Sequence, residues 1–154
     1  MASSKIIAEN RKARHLYNIE KTFDAGVVLQ GWEVKSIRAG HVQLAESYVL
    51  VRHGELFWIN ADIAPLDTVS THFKADPRRT RKLLMHRHEI DHLSSAAAQK
   101  GLAIVPLKIF WHNGIVKLEV ALAKGKKLFD KRQSERDKSW ERDKLRLKKV
   151  LRQA

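Results

Sequence analysis

The chain of 154 residues is 44% hydrophobic, enough to close one core, and carries 30 Lys and Arg against 17 Asp and Glu, a formal charge of +13. With no Cys, disulfides, iron-sulfur clusters and Cys-type zinc knuckles are excluded, and a reducing compartment is natural. The opening "MASSKIIAENRKAR" lacks the apolar stretch of a signal peptide and no run of about 18 apolar residues occurs, so a soluble, cytoplasmic protein without a membrane partner is expected.

In chain order, "HLYNIEKTF" alternates Leu16, Asn18, Glu20 and Thr22 with Tyr17, Ile19 and Phe23, predicting an edge-like strand that ends at Asp24-Ala25-Gly26. "GWEVKSIRAG" predicts about two helical turns between Gly31 and Gly40. "SYVLVRHGELFWINADI" reads as a hairpin about His53-Gly54. In "DPRRTRKLLMHRHEIDHLSSAAAQKG", Asp76 is a good N-cap, Pro77 an ideal first helical residue and Gly101 a terminator. One helix or two fits there, because His86 with Glu89 three later imitates a capping box. "LAIVPLKIFWHNGIVKLEVALA" is a hairpin, with Val105, Leu107, Ile109 and Trp111 on one arm, Val116, Leu118, Val120 and Leu122 on the other, and a type I′ turn at Asn113-Gly114. These elements predict an α+β domain over residues 1–123, a small β-barrel rather than an open sheet because a barrel hides its edges, with about three flanking helices.

A basic tail, 124–154, follows. From Lys124 to Ala154, thirteen basic side chains stand against five acidic ones, so this fifth of the chain carries +8 of the +13. Residues 131–154 hold fourteen charged side chains and only Trp140, Leu145, Leu147, Val150 and Leu151 as large apolar ones. Those are too few to offset an ordering cost of about 1–2 kcal/mol per residue, so disorder or a fraying helix is expected when the chain is free. Trp140, Leu147 and Leu151 fall near one helical face, so a partner lined with phosphates is expected to induce the helix.

Chemistry offers one tempting motif. His88-Glu89-Ile90-Asp91-His92 is a literal H-E-x-x-H, two imidazoles one turn apart with a Glu as base for a zinc hydrolase. Asp91 places a charge where such helices are apolar, and only His112 and Glu119 offer a third ligand. No Walker A, G-x-G-x-x-G or G-x-S-x-G occurs, so no catalytic residue, metal or cofactor is expected. The basic clusters "NRKARH" (10–15), "DPRRTRK" (76–82) and "KGKKLFDKR" (124–132) each fall at the boundary of a regular element, and together they point to a polyanion, with nucleic acid the leading partner. Tyr17, Phe73, Phe129 and Trp140 lie near them as aromatics able to stack on bases. A general RNA chaperone is the blander alternative.

"NRKARHLY", "GWEVKSIRAG", "DPRRTRKLL", "AKGKKLFDKR" and a W-x-x-D-K-x-R tail, in this order from about Glu9 to the end, resemble the SsrA-binding protein family, also called small protein B. The resemblance implies an oligonucleotide-binding-type β-barrel with flanking helices and a tail. It implies a monomeric bacterial cytoplasmic protein that binds the tRNA-like domain of tmRNA in trans-translation, the rescue of stalled ribosomes. The barrel would grip the RNA near its D-loop and stand in for the missing anticodon arm. The tail would enter the decoding centre and message channel of the small subunit. By motif match the RNA-contacting positions fall on Asn10, Arg11, Lys12, Arg14, Asp24, Leu84 and Lys117. The tail's working positions fall on Gly125, Lys126, Lys127, Phe129, Asp130, Lys131, Arg132, Trp140, Asp143, Lys144 and Arg146. Two positions depart from the family pattern: Phe129 stands where Tyr or His is frequent, and Asp24 where Glu is common.

Overall fold

The computed structural model describes residues 4–67, 74–126 and 142. The expectations for Phe73, Lys127, Phe129, Asp130, Lys131, Arg132, Trp140, Asp143, Lys144 and Arg146, and for a latent helix in the tail, lie outside these residues. Met1–Lys124 form one unit and Gly125–Ala154 a second.

The first unit is α+β, with three helices among the described residues. Its elements run β1 (Ser4–Glu9), α1 (Arg11–Leu16), β2 (Tyr17–Val27), α2 (Gly31–Arg38), β3 (Val42–Gln43), β4 (Tyr48–Arg52), β5 (Glu55–Ile59), β6 (Asp62–Ile63), β7 (Arg81–Leu84), α3 (Arg87–Lys100), β8 (Ala103–His112) and β9 (Ile115–Gly125). Seven strands form one sheet in the order β1-β8-β9-β2-β7-β5-β4, and β3 pairs separately with β6. The pairings resolved along the sheet are antiparallel.

Both predicted hairpins form. His53 and Asn113 take φ of 52° and 51°, and the glycines that follow them 75° each, the left-handed pair that a type I′ turn requires. The α2 helix also lies where the pattern puts it, and a capping box between Gln30 and Glu33 closes its start. Gly101 ends α3 in the left-handed conformation, as expected.

Three expectations are overturned. The strand at 17 does not stop at Asp24-Ala25-Gly26 but continues through them to Val27, and it is interior, between β9 and β7. Gly26 lies opposite Leu84, where an added Cβ would make only ordinary contact at 3.5 Å with the Leu84 side chain. Asp76 and Pro77 start no helix. Arg81 and Leu83 point inward and Lys82 and Leu84 outward, so 81–84 is a strand, and α3 begins only after His86. In β8, Val105 and Leu107 do not share a face with Ile109, because the register shifts between Pro106 and Lys108. Val105 and Leu107 pack with Ala13, Ala121 and Ala123 on one side of the hairpin, while Ile104 and Ile109 join the main core on the other.

That core holds Trp58, Leu56, Leu83, Ile109, Leu118 and Val120 from the sheet against Ile37 of α2 and Leu93 of α3. Among the described residues no ladder joins the edge strands β1 and β4, so the sheet curls without closing as a barrel. β4 instead approaches the start of β8 across a groove of about 510 Å³ lined by Tyr48, Leu50, Leu102 and Ile104. The edges are managed by other means: β1 carries a bulge between Ile6 and Ala8, and β4 is five residues long.

Candidate nucleic-acid interface

The seven motif positions of the first unit lie on one side of the sheet or directly under it. Along β9, Val116, Leu118, Val120 and Leu122 enter the main core, so strand alternation sends Lys117, Glu119, Ala121 and Ala123 to the outer face. Along β2, Phe23 and Ala25 are buried inward, leaving Asp24 and Gly26 outward, with Leu84 of β7 opposite Gly26. Leu84 is 53% exposed, an unusual site for a leucine that pairs in mid-sheet.

The short helix α1 sits on the same outer face. Its Ala13 is buried against Val105, Leu107, Ala121 and Ala123, which turns Arg11, Lys12, Arg14 and His15 toward solvent. Asn10 holds it there. This side chain is only 6% exposed: its Oδ1 accepts from the Ala13 amide at 3.2 Å as the N-cap, and its Nδ2 donates to the Pro106 carbonyl at 2.9 Å. The Asn10 amide also donates to the Leu107 carbonyl at 2.7 Å. Asn10 therefore fixes α1 on the bulge of β8. Lys117 lies four residues from Ala121 on the same strand face, about 13 Å away at roughly 3.3 Å per residue. Lys12 makes an exposed ion pair with Glu46 at 3.0 Å, a contact weak enough to exchange for a phosphate.

The second basic cluster behaves differently from expectation. Arg81 is fully buried, its Nε on Glu33, its Nη1 on the Ala61 carbonyl at 3.0 Å and its Nη2 on the Pro77 carbonyl at 3.0 Å. Arg79 donates to the same Glu33 at 2.5 Å and to the Val28 carbonyl at 3.2 Å. Burial alone raises the Glu33 carboxyl, but hydrogen bonds from Arg79, the Gln30 amide and Arg81 outweigh it and hold the group below the usual glutamate value. Burial in turn lowers Arg81. These arginines bind α2 to β7 and do not face a phosphate track; Arg78 and Lys82 are the exposed cations of the run. Nothing in a run of basic residues marks Arg81 as internal, except its alternation with Lys82.

The histidine motif lies on α3 as predicted, with His88 and His92 exposed on its surface. His88 stacks on His86 with centroids 5.7 Å apart, and His92 packs against Phe23 at 6.0 Å. Asp91 pairs with Arg87 at 3.4 Å. Of the third-ligand candidates, His112 meets Ser4 at 2.9 Å and Glu119 pairs with Lys108 at 3.6 Å. Among the described residues no three His, Asp or Glu side chains group to hold a metal. Of the aromatics suggested for stacking, Tyr17 is partly buried against the α1 cluster. From the third basic cluster, Lys124 and Gly125 end β9 as exposed residues and Lys126 follows. Among the described residues no helix is long and apolar enough to cross a membrane.

Comparison with known proteins is consistent across sequence and structure. The family model described as SmpB protein matches residues 7–150. An SsrA-binding protein of Chromohalobacter salexigens is 52% identical over 144 residues, 94% of this chain and 92% of its own. One of Ralstonia nicotianae is 53% identical over 141 residues, covering 92% of this chain and 95% of its own. A solved chain described as "tmRNA-SmpB: a journey to the center of the bacterial ribosome" aligns with a TM-score of 0.67 at 45% identity, over 84% of this chain and 94% of that one.

Proposed function

Because the chain belongs to the SmpB protein family, whose relatives are SsrA-binding proteins, we propose that it is the tmRNA-binding adaptor of trans-translation, a non-enzymatic, monomeric protein of the bacterial cytoplasm. It binds the tRNA-like domain of tmRNA and carries it to stalled ribosomes, standing in for an anticodon arm. The curled sheet is an oligonucleotide-binding-type barrel left open between β1 and β4, and its outer face is the RNA surface. Gly125 and Lys126 begin a tail that acts in the decoding centre and message channel, with Lys127, Phe129, Asp130, Lys131, Arg132, Trp140, Asp143, Lys144 and Arg146 as its working positions.

One observation from the structure carries this reading: the Asn10-capped α1 turns Arg11, Lys12 and Arg14 outward on the face that also bears Lys117, Asp24 and Leu84. Cations there neutralise phosphates and release counterions. Asp24 offers a carboxylate that only base or ribose donors can use, and Leu84 an apolar surface for a base or sugar. Binding should be measured by gel shift with the tRNA-like RNA domain against unrelated RNAs of equal length. Arg11→Ala with Lys12→Ala should weaken binding and flatten its salt dependence by about 0.7–0.9 per lost phosphate contact. Equal affinity for all the RNAs would instead indicate the general RNA chaperone.

A further inference from the structure

The outer face continues past Leu84 and Lys82 to an apolar patch on β5 and β4. The register sets Leu50 of β4 opposite Phe57 of β5 and Phe57 opposite Lys82 of β7. Val28 completes the row through its amide, which donates to the Lys82 carbonyl at 2.9 Å. Val49, Leu56, Trp58 and Leu83 are buried in the core, so alternation sends Tyr48, Leu50, Phe57 and Lys82 outward. Tyr48 is 45% exposed, Leu50 40% and Val28 44%. Across three strand spacings the row is about 14 Å wide. Tyr48 is a diagonal neighbour of Phe57, within the reach of aromatic side chains. Tyr48, Leu50 and Phe57 form an apolar patch on a surface that otherwise carries charge, with Lys82 between it and Val28, and such a patch marks a binding site.

We propose that this row is a base-stacking subsite for unpaired RNA, reaching from Leu84 across β7 and β5 to Tyr48 on β4. It rests on the RNA-binding reading of the outer face and extends it to residues that the sequence motifs do not single out. Two features favour RNA over a protein partner. The row lies on the same face of the sheet as Leu84 of β7 and, across it, Gly26 and Asp24 of β2. Its middle carries Lys82, whose ammonium is exposed and held at 3.0 Å from Glu55, on a chain of formal charge +13. Exposed aromatic and aliphatic side chains accept any base face, while the nearby cation meets the backbone that links the bases.

The test uses the full-length chain with two probes, the tRNA-like RNA domain and an unstructured oligouridylate. Tyr48→Ala should lower affinity about fivefold or more, the usual effect of removing one stacking ring, with an unchanged salt slope because no phosphate contact is lost. Tyr48→Phe should bind as the parent does, and Leu50→Glu should weaken both probes. Cooperative thermal unfolding with an unchanged midpoint for the Tyr48 variants separates the effect from misfolding. Parental affinity of Tyr48→Ala and Leu50→Glu for both RNAs would overturn the subsite. So would unchanged RNA binding with a shift in oligomeric state on sedimentation, which would assign the row to contact between copies. Failure of the adaptor reading is distinguishable: the parent would then show no preference for the tRNA-like RNA and no response to Arg11→Ala with Lys12→Ala, while the oligouridylate would still report on the row.

Discussion

Glu33 and Asn10 show how single polar residues can be buried when hydrogen bonds within the protein answer them. Glu33 is fully buried and answered by Arg79, Arg81 and the Gln30 amide, so its carboxylate is stabilised relative to the unfolded chain. A carboxyl lowered on folding contributes stability above the unfolded glutamate pKa, about 4.3, and loses it as pH falls through the lower folded value. Glu33→Gln should therefore destabilise the protein at pH 7 by on the order of 3–5 kcal/mol, since Arg81 is left uncompensated. Urea unfolding should show the gap between parent and variant narrowing below about pH 4. Asn10→Ala makes a different prediction. It removes a cap, costing about 1 kcal/mol, and loosens α1 without removing any charge. RNA affinity measured by gel shift should fall while the salt slope stays near that of the parent.

At the scale of the element, the two hairpin turns allow a controlled comparison. Gly54 and Gly114 both sit at φ of 75°, so alanine at either is strained by about 1 kcal/mol or more. At Gly114 nothing lies within 4 Å of the added Cβ, whereas at Gly54 the Arg87 guanidinium would be 2.9 Å away. Arg87 donates to the Gly54 carbonyl at 3.0 Å and ties α3 to the β4–β5 turn. Gly54→Ala should thus cost more than Gly114→Ala in thermal unfolding. In an Arg87→Ala background the difference should vanish. The α1 element depends on the bulge in the same way, because the shift at Pro106 and Lys108 turns Val105 and Leu107 outward to seat Ala13. Without it, the alternation of β8 would keep Leu107 on the face of Ile109.

For the whole molecule, the division between RNA binding and ribosome action is open to a direct test. β9 runs to Gly125, and Ala123 is part of the seat of α1. A chain ended after Lys126 keeps both intact and removes most of the +8 carried from Lys124 onward. It should bind the tRNA-like RNA with a modest, largely electrostatic loss and fail to support tagging in a reconstituted stalled-ribosome assay. Equal loss of RNA binding and tagging would contradict the division.

The sequence by itself determined the elements whose signals are local. Asn113-Gly114 and His53-Gly54 encode left-handed turns between alternating arms, Gly40 and Gly101 stop helices, and the motif order from Asn10 to the tail identifies the family. Two short elements had signals too brief to weigh against their neighbours: Asn10 ahead of α1 is a good N-cap, and 81–84 alternates for only four residues beside a stronger helix start at Asp76-Pro77. Tertiary structure decided the rest, because burial depends on what a residue meets across the fold. Arg81 and Lys82 are adjacent and equally basic in the sequence, yet Glu33, 48 residues before Arg81, draws one into the core and leaves the other on the surface. Likewise Leu83 and Leu84 are identical in type, and only the pairing of β7 between β2 and β5 sends the first into the core and the second onto the outer face.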